Sequence, residues 1–223
     1  MTQATARTEA NPTRGVRRRA AILKAATAVF LEHGYEGARL EEVVHRSGGS
    51  LATVYAQFGG KQGLFAAIIA EICAEIVASL PKLDEPGPDA PEDVLFVFAS
   101  TYLGLLLTPA SLALYRVVIS ESTRCPELGQ AVFEAGPARA AERLAVYLRR
   151  QTEWGALAVP DPGLAARQFL EMVKGDLHFR ALLGSGPPPS IEEIDACVRA
   201  ATRVFLGGTA RHRSPHDQPV QPQ

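Results

Sequence analysis

The stretch SLATVYAQFGGKQGLF, residues 50–65, brings hydroxyl groups and one ammonium into a short span. Thr53 suits a base edge or a phosphate oxygen, and Tyr55 suits a phosphate. Lys61 opens a further helix, where its charge and the free N–H groups of the first turn both attract phosphate. The chemistry indicated is nucleic-acid contact. An enzyme finds little support in the chain: there is no Ser/His/Asp order with signature turns and no metal-ligand spacing, and GGK at 59–61 lacks the GxxxxGK[ST] frame of a phosphate loop. Neither a cofactor nor a metal is expected.

These residues need a scaffold, and the flanking pattern supplies one. Ser50 is a helix cap, and the helix it starts turns Val54 and Phe58 to one side and Ala52 and Ala56 to the other, flanked by Thr53 and Tyr55. The outer face is small and polar, so it can approach a major groove closely, with Ala52 and Ala56 able to touch thymine methyls. Before it, Leu40, Val43 and Val44 form a short stripe ending at SGG, where a glycine takes the left-handed conformation of a tight turn. Earlier still, Ile22, Ala26, Val29, Phe30 and His33 mark a first helix that stops at Gly34. Two short helices joined by a glycine turn, the second exposing a small polar face, is the helix-turn-helix arrangement.

Charge agrees. The chain of 223 residues has a net charge of −1, but its first 65 residues carry nine Lys/Arg against five Asp/Glu, and the rest fourteen against nineteen. A basic front on an acidic body confines polyanion contact to the front. With 47% hydrophobic residues the chain can bury a full core. No run approaches the roughly 18 uninterrupted apolar residues of a membrane span, and the N-terminus lacks the apolar region of a secretion signal, so a cytoplasmic protein without a membrane partner is expected. Cys73, Cys125 and Cys197 are odd in number and far apart, which fits reduced small hydrophobes, with a redox-sensing thiol as the alternative.

Residues 17–65 resemble the DNA-binding domain of TetR/AcrR-type transcriptional regulators, through an Ile-Leu-x-Ala-Ala first helix, Phe30 to Gly34-Tyr35, then Gly48, Ser50, Thr53, Tyr55, Phe58, Lys61, Leu64 and Phe65 in unbroken spacing. The resemblance implies a recognition helix over Leu51 to Phe58, with Thr53 at a base-contacting position and Tyr55 and Lys61 at phosphate-contacting ones. The DNA-binding set is therefore Arg17, Arg18, Arg39, Ser50, Leu51, Ala52, Thr53, Tyr55, Ala56, Gln57 and Lys61. Several positions depart from the family pattern. Ala38 and Arg39 replace the usual Thr or Ser cap of helix two, Gly49 a common valine, Leu51 an often basic residue and Gln57 an often aromatic one. Arg39 and the Arg17 to Arg19 cluster then carry more of the salt-dependent affinity.

The remainder reads as helix throughout, so the fold class is all-α: an N-terminal three-helix helix-turn-helix domain and a larger helical ligand-binding and dimerisation domain. A fourth helix runs to Leu80, a proline-rich break covers 81–91, and helical blocks follow at about 92–107, 109–123, 127–153 with a break at Gly136-Pro137, 162–184 and 190–207. The expected domains are 14–76 and 77–208, with disordered tails at 1–13 and 209–223. The last two helices are apolar on two faces and need two partners, which points to a homodimer through 162–184 and 190–207, the alternative being burial within one chain.

The segment from Leu114 to Leu157 and DPGLAARQFLEMVKGD also resemble the C-terminal domain of AefR-like members of that family, whose body holds a small effector. Phe96, Phe98, Tyr102, Tyr115, Phe133, Trp154, Phe169, Met172 and His178 are the aromatic and soft residues available to line such a pocket, the polar ones being favoured. The reading is a dimeric repressor binding a palindromic double-stranded operator and released by a small hydrophobic effector, with activation as the alternative that the sequence leaves open.

Overall fold

The computed structural model describes residues 14–83 and 90–209. The tails expected to be disordered, at 1–13 and from 210 onward, and most of the proline-rich break lie outside those residues. Every regular element among them is an α-helix: α1 Arg14–Gly37, α2 Leu40–Ser47, α3 Leu51–Phe58, α4 Lys61–Ser79, α5 Pro91–Leu106, α6 Pro109–Ser122, α7 Pro126–Ala135, α8 Pro137–Glu153, α9 Pro162–Leu183 and α10 Ile191–Thr209. The chain divides into two compact units, 1–71 and 72–223.

In the first unit the apolar stripe of α1 is buried at Ile22, Leu23, Ala26, Val29 and Phe30. The helical run of α1 is interrupted at Gly34 (φ 69°, ψ 178°), where the sequence places its stop, and a short further turn continues to Gly37. By length and composition α4 could cross a bilayer. Four apolar residues of its first half are packed inside the first unit: Leu64, Phe65, Ile68 and Ile69 are buried, and the Phe65 ring meets those of Phe30 and Tyr35 at centroid distances of 4.8 and 5.0 Å.

Helices α1 and α2 are pinned at the surface by one cation. The Arg46 guanidinium donates to both carboxylate oxygens of Glu32 at 2.7 Å and also to Glu42, while His33 Nε2 stands 3.4 Å from Glu42. Glu32, His33 and Glu42 are close enough to share a positive ion, and Arg46 is that ion. Its hydrogen bonds hold both carboxyls below the ordinary 4.5, against an opposing effect of burial. A depressed carboxylate stabilises the fold fully above its unfolded value and loses that contribution as pH falls through its folded value. The first unit is therefore expected to lose stability as pH falls below 4.5, and Arg46→Met is expected to flatten that loss in melts followed by circular dichroism from about pH 5 to 3.

In the second unit five helices begin on a proline, Pro91, Pro109, Pro126, Pro137 and Pro162, where the missing N–H costs nothing and φ is already helical. Thr108 caps α6 and Asp161 caps α9 through side-chain bonds to Ser111 N and Leu164 N. Ser190 and Glu193 exchange two bonds in a capping box that starts α10. The core joins α5, α8, α9 and α10 around fully buried Leu95, Phe98, Leu103, Leu144, Leu148 and Phe169, with the Phe169 ring 4.8 Å from that of Phe205. Helix α10 continues through Gly207, Gly208 and Thr209, past the end the sequence suggested.

Candidate nucleic-acid interface and effector cavity

The turn into the recognition helix is built from Gly48, in the left-handed conformation (φ 68°, ψ 29°), and Ser50, whose hydroxyl accepts from Thr53 N at 3.2 Å. Arg39, at the N-cap of α2, makes no side-chain cap, so the departure at that position leaves a first-turn donor without its usual partner. Along α3, Val54 and Phe58 are buried, whereas Leu51, Ala52, Tyr55, Ala56 and Gln57 are exposed. Tyr55 is 58% exposed and its ring lies over Gly60, where a Cβ would stand 3.2 Å from Cε1. The Thr53 hydroxyl is shared with that of Ser50 at 2.9 Å. At roughly 1.5 Å per residue, α3 is about 12 Å long, a length that a major groove accommodates.

The cations are less uniform than a count of charges suggests. Arg17 and Arg39 are exposed. Arg18 donates from Nη2 to the Gly48 carbonyl at 2.7 Å and so braces the inter-helix turn, and Arg19 lies 4.8 Å over the Phe58 ring. Lys61 is half-buried; its ammonium donates to the Glu36 carbonyl at 2.9 Å and lies 5.0 Å over the Tyr35 ring. The ammonium expected on phosphate is thus engaged at the end of α1. Arg14, Arg17, Arg18 and Gln57 border one open recess at the front of this unit.

The second unit encloses an apolar cavity of about 20 Å³. Tyr102 and Leu106 reach it from α5, and Ser111, Leu114, Tyr115 and Val118 from α6. Cys73, Ile76 and Val77 of α4 line it too, with Val132, Gly136, Pro137 and Ala140 of the α7–α8 corner. Among the described residues no charged side chain lines it. Burial pushes the Tyr115 phenol up to about 12 and Tyr102 higher still, so both remain neutral hydrogen-bonding groups. At Gly136 a Cβ would lie 3.1 Å from Cys73 Sγ, so a larger residue there would crowd the thiol by a few tenths of an ångström. Burial raises the Cys73 and Cys197 thiols, which keeps them protonated and poor nucleophiles.

Of the residues proposed from sequence as pocket lining, Tyr102 and Tyr115 are at the cavity. His178 is buried behind it, its ring edge-on to Tyr115 at 5.2 Å. Phe98 and Phe169 are core. Phe96 lies under the Arg199 guanidinium at 4.1 Å and does not line the cavity. Phe133 and Trp154 are both 56% exposed and Met172 is exposed as well in the single chain, and none of the three lines this cavity. Phe133 borders a separate shallow recess with Glu142 and Arg167. The sequence reading missed Cys73, Ser111 and Gly136, small residues whose contribution is the space they leave.

Residues 22–68 match the family described as bacterial regulatory proteins, tetR family, and residues 93–208 match the AefR-like transcriptional repressor C-terminal domain. The chain belongs to the TetR family. The solved flavonoid-responsive regulator FrrA is 31% identical and superimposes with a TM-score of 0.76, the match covering 89% of this chain and 100% of that one. The transcriptional repressor AcnR of Corynebacterium glutamicum is 26% identical over 194 residues, 86% of this chain and 92% of its own. The repressor ComR of Escherichia coli is 41% identical over only 51 residues, 23% of this chain and 24% of ComR. This TetR-family protein is a DNA-binding transcriptional regulator and not an enzyme.

Proposed function

We propose that this regulator is a cytoplasmic homodimeric repressor that binds a palindromic operator and is released by a neutral, largely apolar small molecule. The observation that carries DNA recognition is the α3 face: Leu51, Ala52, Tyr55, Ala56 and Gln57 are exposed on a helix held from behind by Val54 and Phe58. Ala52 and Ala56 meet base edges with Thr53, Tyr55 and Gln57 beside them. Arg17, Arg39 and the outer arginines at the front of α1 contact phosphates. Two half-sites about 34 Å apart on one DNA face would match two α3 helices related by a twofold axis.

The exposed apolar residues of α9 and α10 support the dimer. Met172, Phe179 and Leu183 on α9 and Val204 on α10 remain uncovered in the single chain. The uncharged lining of the cavity supports a neutral effector, since a carboxylate or ammonium would be desolvated there without a partner. FrrA is named for its response to flavonoids, which adds weight to a planar aromatic effector. The cavity of about 20 Å³ is far below the roughly 150 Å³ that holds a benzene ring, so an effector has to part its walls. Effector and operator then weaken each other's binding by one common factor.

The test is titration of the purified protein against the DNA flanking its own gene over a range of salt, with Tyr55→Ala and Lys61→Ala. Saturable, sequence-selective binding is expected, with affinity falling about tenfold or more in Tyr55→Ala if its phenol meets a phosphate. A Lys61 ammonium that leaves Glu36 to take a phosphate reduces the slope of log K against log salt by about one when removed. An unchanged slope with weaker binding assigns Lys61 to holding α1 against α4. Binding that is weak and indifferent to sequence counts against the recognition-helix assignments.

A further inference from the structure

Helix α9 consists of two segments. Gly175 inside it is non-helical (φ 49°, ψ −143°), in the left-handed region that favours glycine, and a Cβ there would meet Cys197 Sγ at 3.0 Å. The Cys197 thiol donates to the Val173 carbonyl at 3.5 Å, just before the break. The first segment carries Ala166, Phe169, Leu170 and Val173 into the core. The second is fastened to α6. Arg116 donates from Nε to the Leu182 carbonyl at 2.9 Å and from Nη2 to the Ala181 carbonyl at 2.8 Å, in the last turn of the helix, where the Ala181 carbonyl also accepts from the Gly184 N–H at 3.2 Å. His178, three residues beyond the break, stands edge-on to Tyr115 with its Nε2 buried and without a hydrogen-bond partner.

Helix α6 therefore faces two ways. It gives Tyr115 and Val118 to the cavity and Arg116 to the end of α9. We propose that Arg116 and His178 are positioning residues that make the segment of α9 beyond Gly175 follow the α6 wall, so that filling the cavity re-aims the exposed Phe179 and Leu183. A 10° turn at Gly175 moves the end of that segment, about 12 Å long, by about 2 Å. Shifts of 1–2 Å at a subunit interface are enough to switch an assembly between states. The meaning of the device as effector release rests on the effector reading above; the mechanical link does not.

The test is hydrogen–deuterium exchange on the full-length protein with no effector added. Arg116→Gln is expected to raise exchange across 176–183 by about tenfold while 162–173 stays within about twofold. Val132→Phe drives a ring into the cavity from α7, with Val132→Ile as the milder form should the first not fold. Either is expected to change exchange across 176–183 by about threefold, and Arg116→Gln in the same chain is expected to remove that response. Arg116→Lys, which keeps the charge, is expected to restore part of it. A Val132 response of full size in the double variant, or equal changes on both sides of Gly175, overturns the proposal. A chain that passes this test yet binds its operator equally with and without every neutral aromatic compound tried retires the effector reading and leaves the link standing.

Discussion

Replacing Gly63 with alanine is expected to weaken operator binding by at least about a hundredfold. Gly63 is the third residue of α4, and a Cβ built there lies 1.7 Å from the carbonyl oxygen of Phe58 and 2.9 Å from its carbonyl carbon. The obstruction is backbone, so no rotamer change relieves it, and either the end of α3 or the start of α4 has to move. The end of α3 has little room. Phe58 is buried under Arg19, and Gly59 N–H closes the helix on the Tyr55 carbonyl at 2.9 Å in the left-handed conformation. A displacement of α3 misplaces several base contacts together, each worth about 1–3 kcal/mol, and two such losses account for the hundredfold at about 1.4 kcal/mol per decade. Operator titration by fluorescence anisotropy alongside a thermal melt separates misplacement from unfolding. Gly104→Ala is the control: its added Cβ meets nothing within 4 Å, and replacing a glycine inside a helix is expected to gain about 0.5–1 kcal/mol with binding intact. Binding within about threefold of wild type in Gly63→Ala would mean that α4 yields without disturbing α3.

Gly63 also marks how far the sequence could be read. The helix-turn-helix was legible because its signals are local: Ser50 as a cap, Gly48 as a left-handed turn, and a helical period that buries Val54 and Phe58. The all-α body was legible for the same reason, with apolar periodicity between proline starts. Gly63 carried no such signal, since its φ is ordinary and only the approach of Phe58 makes it necessary. The break at Gly175 was hidden in a continuous pattern, Ala166, Phe169, Leu170, Val173, Leu177, that an unbroken helix would produce equally well. The cavity was least legible. Large apolar side chains indicate how much surface a chain can bury but not where, which is why Phe133 and Trp154 face solvent while Gly136 and Cys73 shape the space. Charge followed the same rule: Arg18 and Lys61 are visible as cations in sequence, whereas the Gly48 and Glu36 carbonyls that receive them belong to other turns of the fold.

Val204→Glu is expected to give a monomer and, through it, an operator affinity lower by about a thousandfold, the order separating a specific dimer complex from far weaker binding. On α10, Ala196, Ala200 and Val204 recur every fourth residue and are exposed, and the first two are small enough to let another helix come close. On α9, Phe179 and Leu183 are likewise uncovered. An apolar face of this kind on a single chain supports the proposed twofold interface. A twofold interface meets every substitution twice, so one glutamate per chain places two carboxylates near the axis, each desolvated without a partner. That penalty of several kcal/mol is comparable with what a helical interface contributes to association. Loss of the dimer separates the two recognition helices, and each half-site is then bound alone. Light scattering after size exclusion reads the first step and anisotropy on a full and a half operator reads the second. Val97→Glu applies the same change to an exposed valine on α5, outside this face, and is expected to remain dimeric with its operator affinity intact. A Val204→Glu protein that stays dimeric would move the interface off α10, and with it the argument that the end of α9 reports cavity occupancy to a second subunit.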